Sequence, residues 1–145
     1  MENEKYIQQR VTNYYRIDNV NCTTASLRIL AEIYSLELSP QILDSAIGMH
    51  GAGKYGAQCG LVEGGLLFIG ILGRARTIPD ELVVEACHRF AEHFEQRFSS
   101  LLCRELRPQG FAADLPPHLC MGLTCEAIGF STAFVREMIE QAAAD

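Results

Sequence analysis

The chain has 145 residues, 48% of them hydrophobic, which is enough to bury a core as a single domain over 1–145 without help from disulfides. With a net charge of -6 and twelve scattered Lys and Arg residues it offers no basic face to a phosphate backbone, so nucleic acid is excluded as an expected partner. The opening MENEKYIQQR has no apolar h-region, and the longest apolar run, Gly64 to Gly73, is far short of the ~20 residues that cross a bilayer, so a soluble, cytoplasmic protein with no membrane association is expected.

Ile7, Val11 and Tyr14 recur at helical spacing and predict a first amphipathic helix over 3–15. After a turn at Asp18 to Asn21, either Asn21 or Thr23 can cap a second helix with Leu27, Leu30, Ala31 and Tyr34 on one stripe. Cys22 falls in its first turn, close to open amide groups, a place that tends to lower a thiol's pKa. Ser39-Pro40 is a strong start signal for a short helix to about Ile47.

A glycine-rich loop, Gly48 to Gly56, leads into the segment that organises the chain, a nearly all-apolar helix over 57–72. Here Cys59, Val62, Glu63 and Leu66 share a face, while Gly60 and Gly64 form a small-residue strip for close packing that is also compatible with a homodimer. Thr77 to Asp80 restarts the chain. The long helix that follows carries Ala86, Phe90, Phe94 and Phe98 on one side and is expected to reach as far as Cys103. Residues 107–117 read as a loop, and a last helix over about 122–143 carries Cys125, Ile128, Thr132, Val135 and Ile139. No segment alternates as a strand would, so the expected fold is an all-α compact bundle of five or six helices around the central glycine-rich helix.

Two phosphate-binding patterns fail on context. Gly51 to Gly56 fits G-x-G-x-x-G, but QILDSAIGMH before it reads as a helix where a dinucleotide fold needs a strand. Gly48 with Gly53-Lys54 approaches a P-loop, but Tyr55 stands where a hydroxyl must reach magnesium. No nucleotide is expected, and the absence of C-x-x-C-H argues against covalent haem.

The six cysteines carry more information. Cys87 and Cys103 lie 16 residues apart, roughly 24 Å along a continuous helix, so both cannot serve one small site, and Cys87 beside the Phe stripe reads as a core thiol. Cys22, Cys59, Cys103, Cys120 and Cys125 fall at or near helix ends, where they could meet at one end of a bundle. Without C-x-x-C, the zinc-ribbon and thioredoxin spacings are missing, but cysteines from four helices could hold an iron-sulfur cluster or a zinc ion.

Asn21 to Leu27 (NCTTASL), Gly56 to Gly65 (GAQCGLVEGG) with its GILG continuation, the F-x3-F-x4-C-x-x-L run from Phe94 to Leu106, and Cys125 ahead of the last helix together resemble the C_GCAxxG_C_C family. The resemblance covers about residues 10–140. It implies a redox-active protein with a domain similar to one in split-Soret cytochromes c, associated there with an iron-sulfur cluster. Carried over, the family's cysteines are Cys22, Cys59, Cys103 and Cys125, with Cys120 an extra thiol that could replace Cys125, and Gly53, Gly56 and Gly60 in the surrounding loop. Leu61 replaces the family's usual alanine after the C-G pair, and the haem-attachment part of the cytochromes is missing.

Glu63, one turn from Cys59, is read as an oxygen ligand or proton acceptor, or else as the partner of Arg28, Arg97 or Arg104. His88 and His93 splay apart on their helix, and His50 and His118 lie in loops. The resulting expectation is a small redox protein with a convergent cysteine site that binds an iron-sulfur cluster for electron transfer or redox sensing with a protein redox partner. The alternatives are a metal-free thiol-disulfide enzyme or switch, in which Cys22, Cys59 and Cys103 act, and a structural zinc-binding interaction module.

Overall fold

The computed structural model describes residues 2–107 and 121–144. The fold is all-α, with eight helices among the described residues: α1 (Glu2–Arg16), α2 (Cys22–Ile33), α3 (Pro40–Ser45), α4 (Gly51–Lys54), α5 (Gly60–Ala75), α6 (Asp80–Phe98), α7 (Cys103–Leu106) and α8 (Met121–Ala144). Five of them are long, and α5 is the hub. It packs on α2, α6 and α8, while α1 lies against α8.

Glycine determines how closely the neighbours of α5 approach. A Cβ on Gly60 would lie 2.3 Å from Cys22 Sγ, and one on Gly64 would lie 2.6 Å from Ser26 Cβ, so this strip receives α2. Because 22 pairs with 60 and 26 with 64, α2 and α5 run in the same direction. On another side, Gly65 meets Phe90 and Gly73 meets Val83, so α6 runs antiparallel. The Gly60–Gly64 strip is therefore consumed within the chain and presents no surface to a second copy.

The core beneath these contacts contains Leu27, Leu30, Leu61, Phe68, Ile69, Leu72, Phe90 and Phe94, all buried. Phe90, Phe94, Phe98, Phe130 and Phe134 interlock through tilted and edge-on ring contacts that tie α6 to α8. A second core, Ile7, Val11, Tyr14, Tyr15, Ala25, Ile29 and Ile128, joins α1 to α2 and α8. There the buried Tyr15 and Thr124 hydroxyls hydrogen-bond at 2.8 Å.

Several boundaries differ from the expectation, each for a local reason. The central helix begins at Gly60 and not at residue 57, because Gln58 is held in an antiparallel bridge with Leu102 and Cys59 is the extended N-cap. It continues past Gly73, whose role is to admit Val83 and not to end the helix. The long helix stops at Phe98, where Ser99 turns left-handed with φ 76°, so Cys103 is not on the helix of Cys87. Asn21 and Ser39 are the N-caps of α2 and α3, accepting from the amides of Thr24 and Ile42. No described helix is long and apolar enough to cross a membrane.

Candidate functional site

Three cysteines open three helices: Cys22 is the first residue of α2, Cys59 the N-cap of α5 and Cys103 the first residue of α7. The parallel packing of α2 on α5 presses the Cys22 sulfur onto Gly60, the residue that adjoins Cys59. Cys103 is brought in from the other side by the bridge. The Cys59 amide donates to the Leu101 carbonyl at 2.8 Å and the Cys103 amide to that of Ala57 at 2.7 Å. In this register Gln58 faces Leu102, and residues 59 and 103 become diagonal neighbours on the opposite face, a pair normally about 7–8 Å apart.

The glycine loop is wound left-handed, which no sequence signal disclosed. Gly51, Ala52, Gly53 and Lys54 have φ of 65°, 53°, 63° and 68°, and Gly56 has φ 95°. Glycine adopts this geometry freely, but Ala52 and Lys54 each carry a cost of about 1–2 kcal/mol. The Gly53, Lys54 and Gly56 amides close the turn on the carbonyls of Gly48, His50 and Gly51. Gly51 is buried against Cys103: a Cβ there would lie 3.0 Å from Cys103 Cβ and 3.2 Å from its Sγ. Gly56 is also buried, and its carbonyl accepts from the Arg104 side chain at 3.0 Å. Gly53 sits on the open side of the turn, with nothing near it.

Asn21 fastens this turn to α2. While its oxygen caps the helix, its amide nitrogen lies 2.9 Å from the carbonyls of Ala46 and Ile47 and 3.1 Å from His50 Nδ1. Thr23 adds a bond from its buried hydroxyl to the Met49 carbonyl at 2.6 Å. The sequence offers Asn21 or Thr23 as the cap of α2 and no sign of the tether, because the carbonyls that Asn21 reaches are more than twenty residues away.

All five described cysteines are in the thiol form. Cys59 is buried, and Cys22 and Cys103 are half-buried. Burial pushes the Cys103 thiol up in pKa, with the Arg107 guanidinium pulling in the opposite direction. Cys125 is also raised by burial, helped by the Glu126 charge, and it opens on the groove between α1 and α8 beside Met121 and Ile7. Cys87 is raised by burial alone. Cys120 and His118 lie outside the described residues. Glu63 is half-buried and accepts from the Gln58 side-chain amide at 2.7 Å, which supplies a neutral partner in place of the expected arginine. Among the described residues no group of three or more His, Cys, Asp or Glu side chains is gathered tightly enough to hold a single metal ion.

The sequence model of a family described as "Putative redox-active protein (C_GCAxxG_C_C)" matches residues 20–134, a span that includes every element just described around the thiols. No curated protein and no solved structure matches the chain at a significant level. The chain belongs to the C_GCAxxG_C_C family.

Proposed function

We propose that this member of the C_GCAxxG_C_C family is a small redox protein whose working centre is formed by the Cys22, Cys59 and Cys103 thiols beneath the Gly51–Gly56 turn. The observation that carries the reading is the meeting of those thiols with the N-termini of two helices running in the same direction, α2 and α5. Each such end carries a partial charge of about +0.5, and two side by side repel unless negative charge sits between them. Thiolates, alone or as ligands, supply it.

In this reading the thiols hold an iron-sulfur cluster. The donor set fits: the sulfurs are the soft ligands such clusters take, and Gly51 and Gly60 keep the turn and α5 free of side chains where Cys103 and Cys22 lie. A lone zinc ion needs four donors at about 2.0–2.3 Å, a tighter set than the described residues offer, whereas a cluster spreads its ligands over several irons. Cys125 or Cys120 would provide the fourth ligand. A bound cluster would supply a one-electron couple for electron transfer or redox sensing. The chain's own part is to exclude water with the turn and, through Arg107, to offset part of the burial that raises the Cys103 thiol.

A thiol-disulfide role is the second reading, favoured by the placing of Cys59 and Cys103 on one face of the bridge. Two thiols would then pass two electrons and two protons to a partner disulfide by exchange, their own S–S bond forming as the partner's breaks into two thiols. The diagonal separation of about 7–8 Å exceeds the 4.4–6.8 Å between Cα atoms of a disulfide, so the segment around Leu102 would have to shift. This is why the cluster is preferred.

Anaerobic purification followed by a visible spectrum and iron, sulfide and zinc analysis decides between them. The expected result is broad visible absorption with iron and labile sulfide, lost in Cys22→Ser, Cys59→Ser and Cys103→Ser. Colourless, metal-free protein whose reactive thiols fall by two on oxidation would replace the cluster with the disulfide. Stoichiometric zinc would overturn both.

A further inference from the structure

Beside the turn, on the face away from α5, a groove of about 460 Å³ runs between α2 and α3 and is bordered by Asn21, Arg28, Asp44, Ile47, His50 and Lys54. We propose that it binds a small anion bearing a phosphate or carboxylate group. The proposal is independent of what the thiols do.

Arg28 lines the groove from α2. Its natural partner would be Glu32, one turn further along α2. That carboxylate is already taken: Arg10 donates to both of its oxygens, at 2.8 and 3.0 Å, Tyr6 donates at 2.6 Å, and Tyr14 donates as well. Arg28 instead stacks over the Tyr14 ring, 5.8 Å from its centroid, and its buried Nε has no hydrogen-bond partner. The guanidinium is thus held in place with its charge uncompensated, since neither Arg28 nor Lys54 joins an ion pair among the described residues.

His50 and Lys54 complete the lining. The Asn21 amide nitrogen, 3.1 Å from His50 Nδ1, can only donate, and where that bond forms the neutral ring carries its proton, an N–H donor, on Nε2. Burial, with the Lys54 charge adding to it, keeps His50 below the ordinary histidine range and so uncharged near neutral pH. Against two fixed cations and this N–H stands one carboxylate, Asp44, which is exposed. An arginine fork grips carboxylate or phosphate through two parallel bonds and a lysine adds a point charge, and a space of this volume is at the small-molecule end of the usual ~300–1,000 Å³.

Calorimetric titration of the full chain with inorganic phosphate and, separately, with succinate tests the proposal, with sodium chloride at matched ionic strength as the control. Saturable binding of at least one probe is expected, and the stronger one identifies the head group. Arg28→Gln should weaken it about tenfold or more, as loss of a charged hydrogen bond does, and Lys54→Gln by a few-fold. Asp44→Asn should tighten it. Lys54 and Asp44 are exposed, so those two variants keep the fold even if Arg28→Gln does not. No saturable binding of either probe, equal displacement by chloride, or affinity unchanged in Lys54→Gln and Asp44→Asn would overturn it.

Discussion

Replacing Gly60 with alanine tests the geometry on which the thiol site depends. The new Cβ would stand 2.3 Å from Cys22 Sγ, 2.5 Å from Thr23 Oγ1 and 3.1 Å from the Thr23 amide, so α2 and α5 must separate. In a packed core such an insertion costs about 1–3 kcal/mol. Moving Thr23 also loosens its buried bond to the Met49 carbonyl, which can add about 1–3 kcal/mol. Alanine's better helix propensity returns at most about 1 kcal/mol. The net is a loss of about 1–5 kcal/mol, or about 3–15 °C in Tm for a chain of this size. Gly70→Ala on the same helix is the control. A Cβ there meets nothing within 4 Å, so only the propensity term acts and stability should rise by about 0.5–1 kcal/mol. Thermal and urea unfolding of both variants gives the comparison, with thiol-reagent titration reporting whether Cys22 has become more accessible. Equal effects of the two substitutions, or a Gly60→Ala protein as stable as wild type with unchanged thiol rates, would refute the close approach of Cys22 to α5.

Asn21→Asp keeps the cap oxygen for Thr24 but loses the nitrogen that reaches Ala46, Ile47 and His50, so it should leave α2 intact while speeding thiol modification beneath the loosened turn; Asn21→Ala should do both kinds of damage and cost about 1–3 kcal/mol. Glu32 predicts an acid limb. Burial raises its carboxyl, but the bonds from Arg10, Tyr14 and Tyr6 outweigh that and hold it below the ordinary value of 4.5. A depressed folded-state pKa gives stability that is present above pH 4.5 and lost as the pH falls through the folded value, so urea midpoints measured from pH 6 down to pH 3 should fall less steeply in Glu32→Gln than in wild type. Tyr15→Phe removes the bond to the buried Thr124 hydroxyl and should cost about 1–3 kcal/mol in chemical denaturation.

The elements legible in the sequence were those whose physics is local. The Ala86, Phe90 and Phe94 stripe, the Ser39-Pro40 start and the Asn21 cap each act within a few residues, and each appears in place. What escaped depended on partners distant in the chain. Nothing around Gln58 announces Leu102, yet their bridge delays α5 to Gly60 and aligns Cys59 with Cys103. Glycine at 51 and 53 advertised freedom of φ but not its sign, and Ala52 and Lys54 gave no warning that they too would turn left-handed. That strain of about 1–2 kcal/mol at each of two residues persists only because other bonds fix the turn from outside. Asn21 and Thr23 fasten the segment before it to α2, and Arg104 and the Cys103 amide hold Gly56 and Ala57 after it. The fastenings begin beside Cys22 and end at Cys103, so the forces that sustain the unusual backbone are the same ones that bring those two thiols toward Cys59.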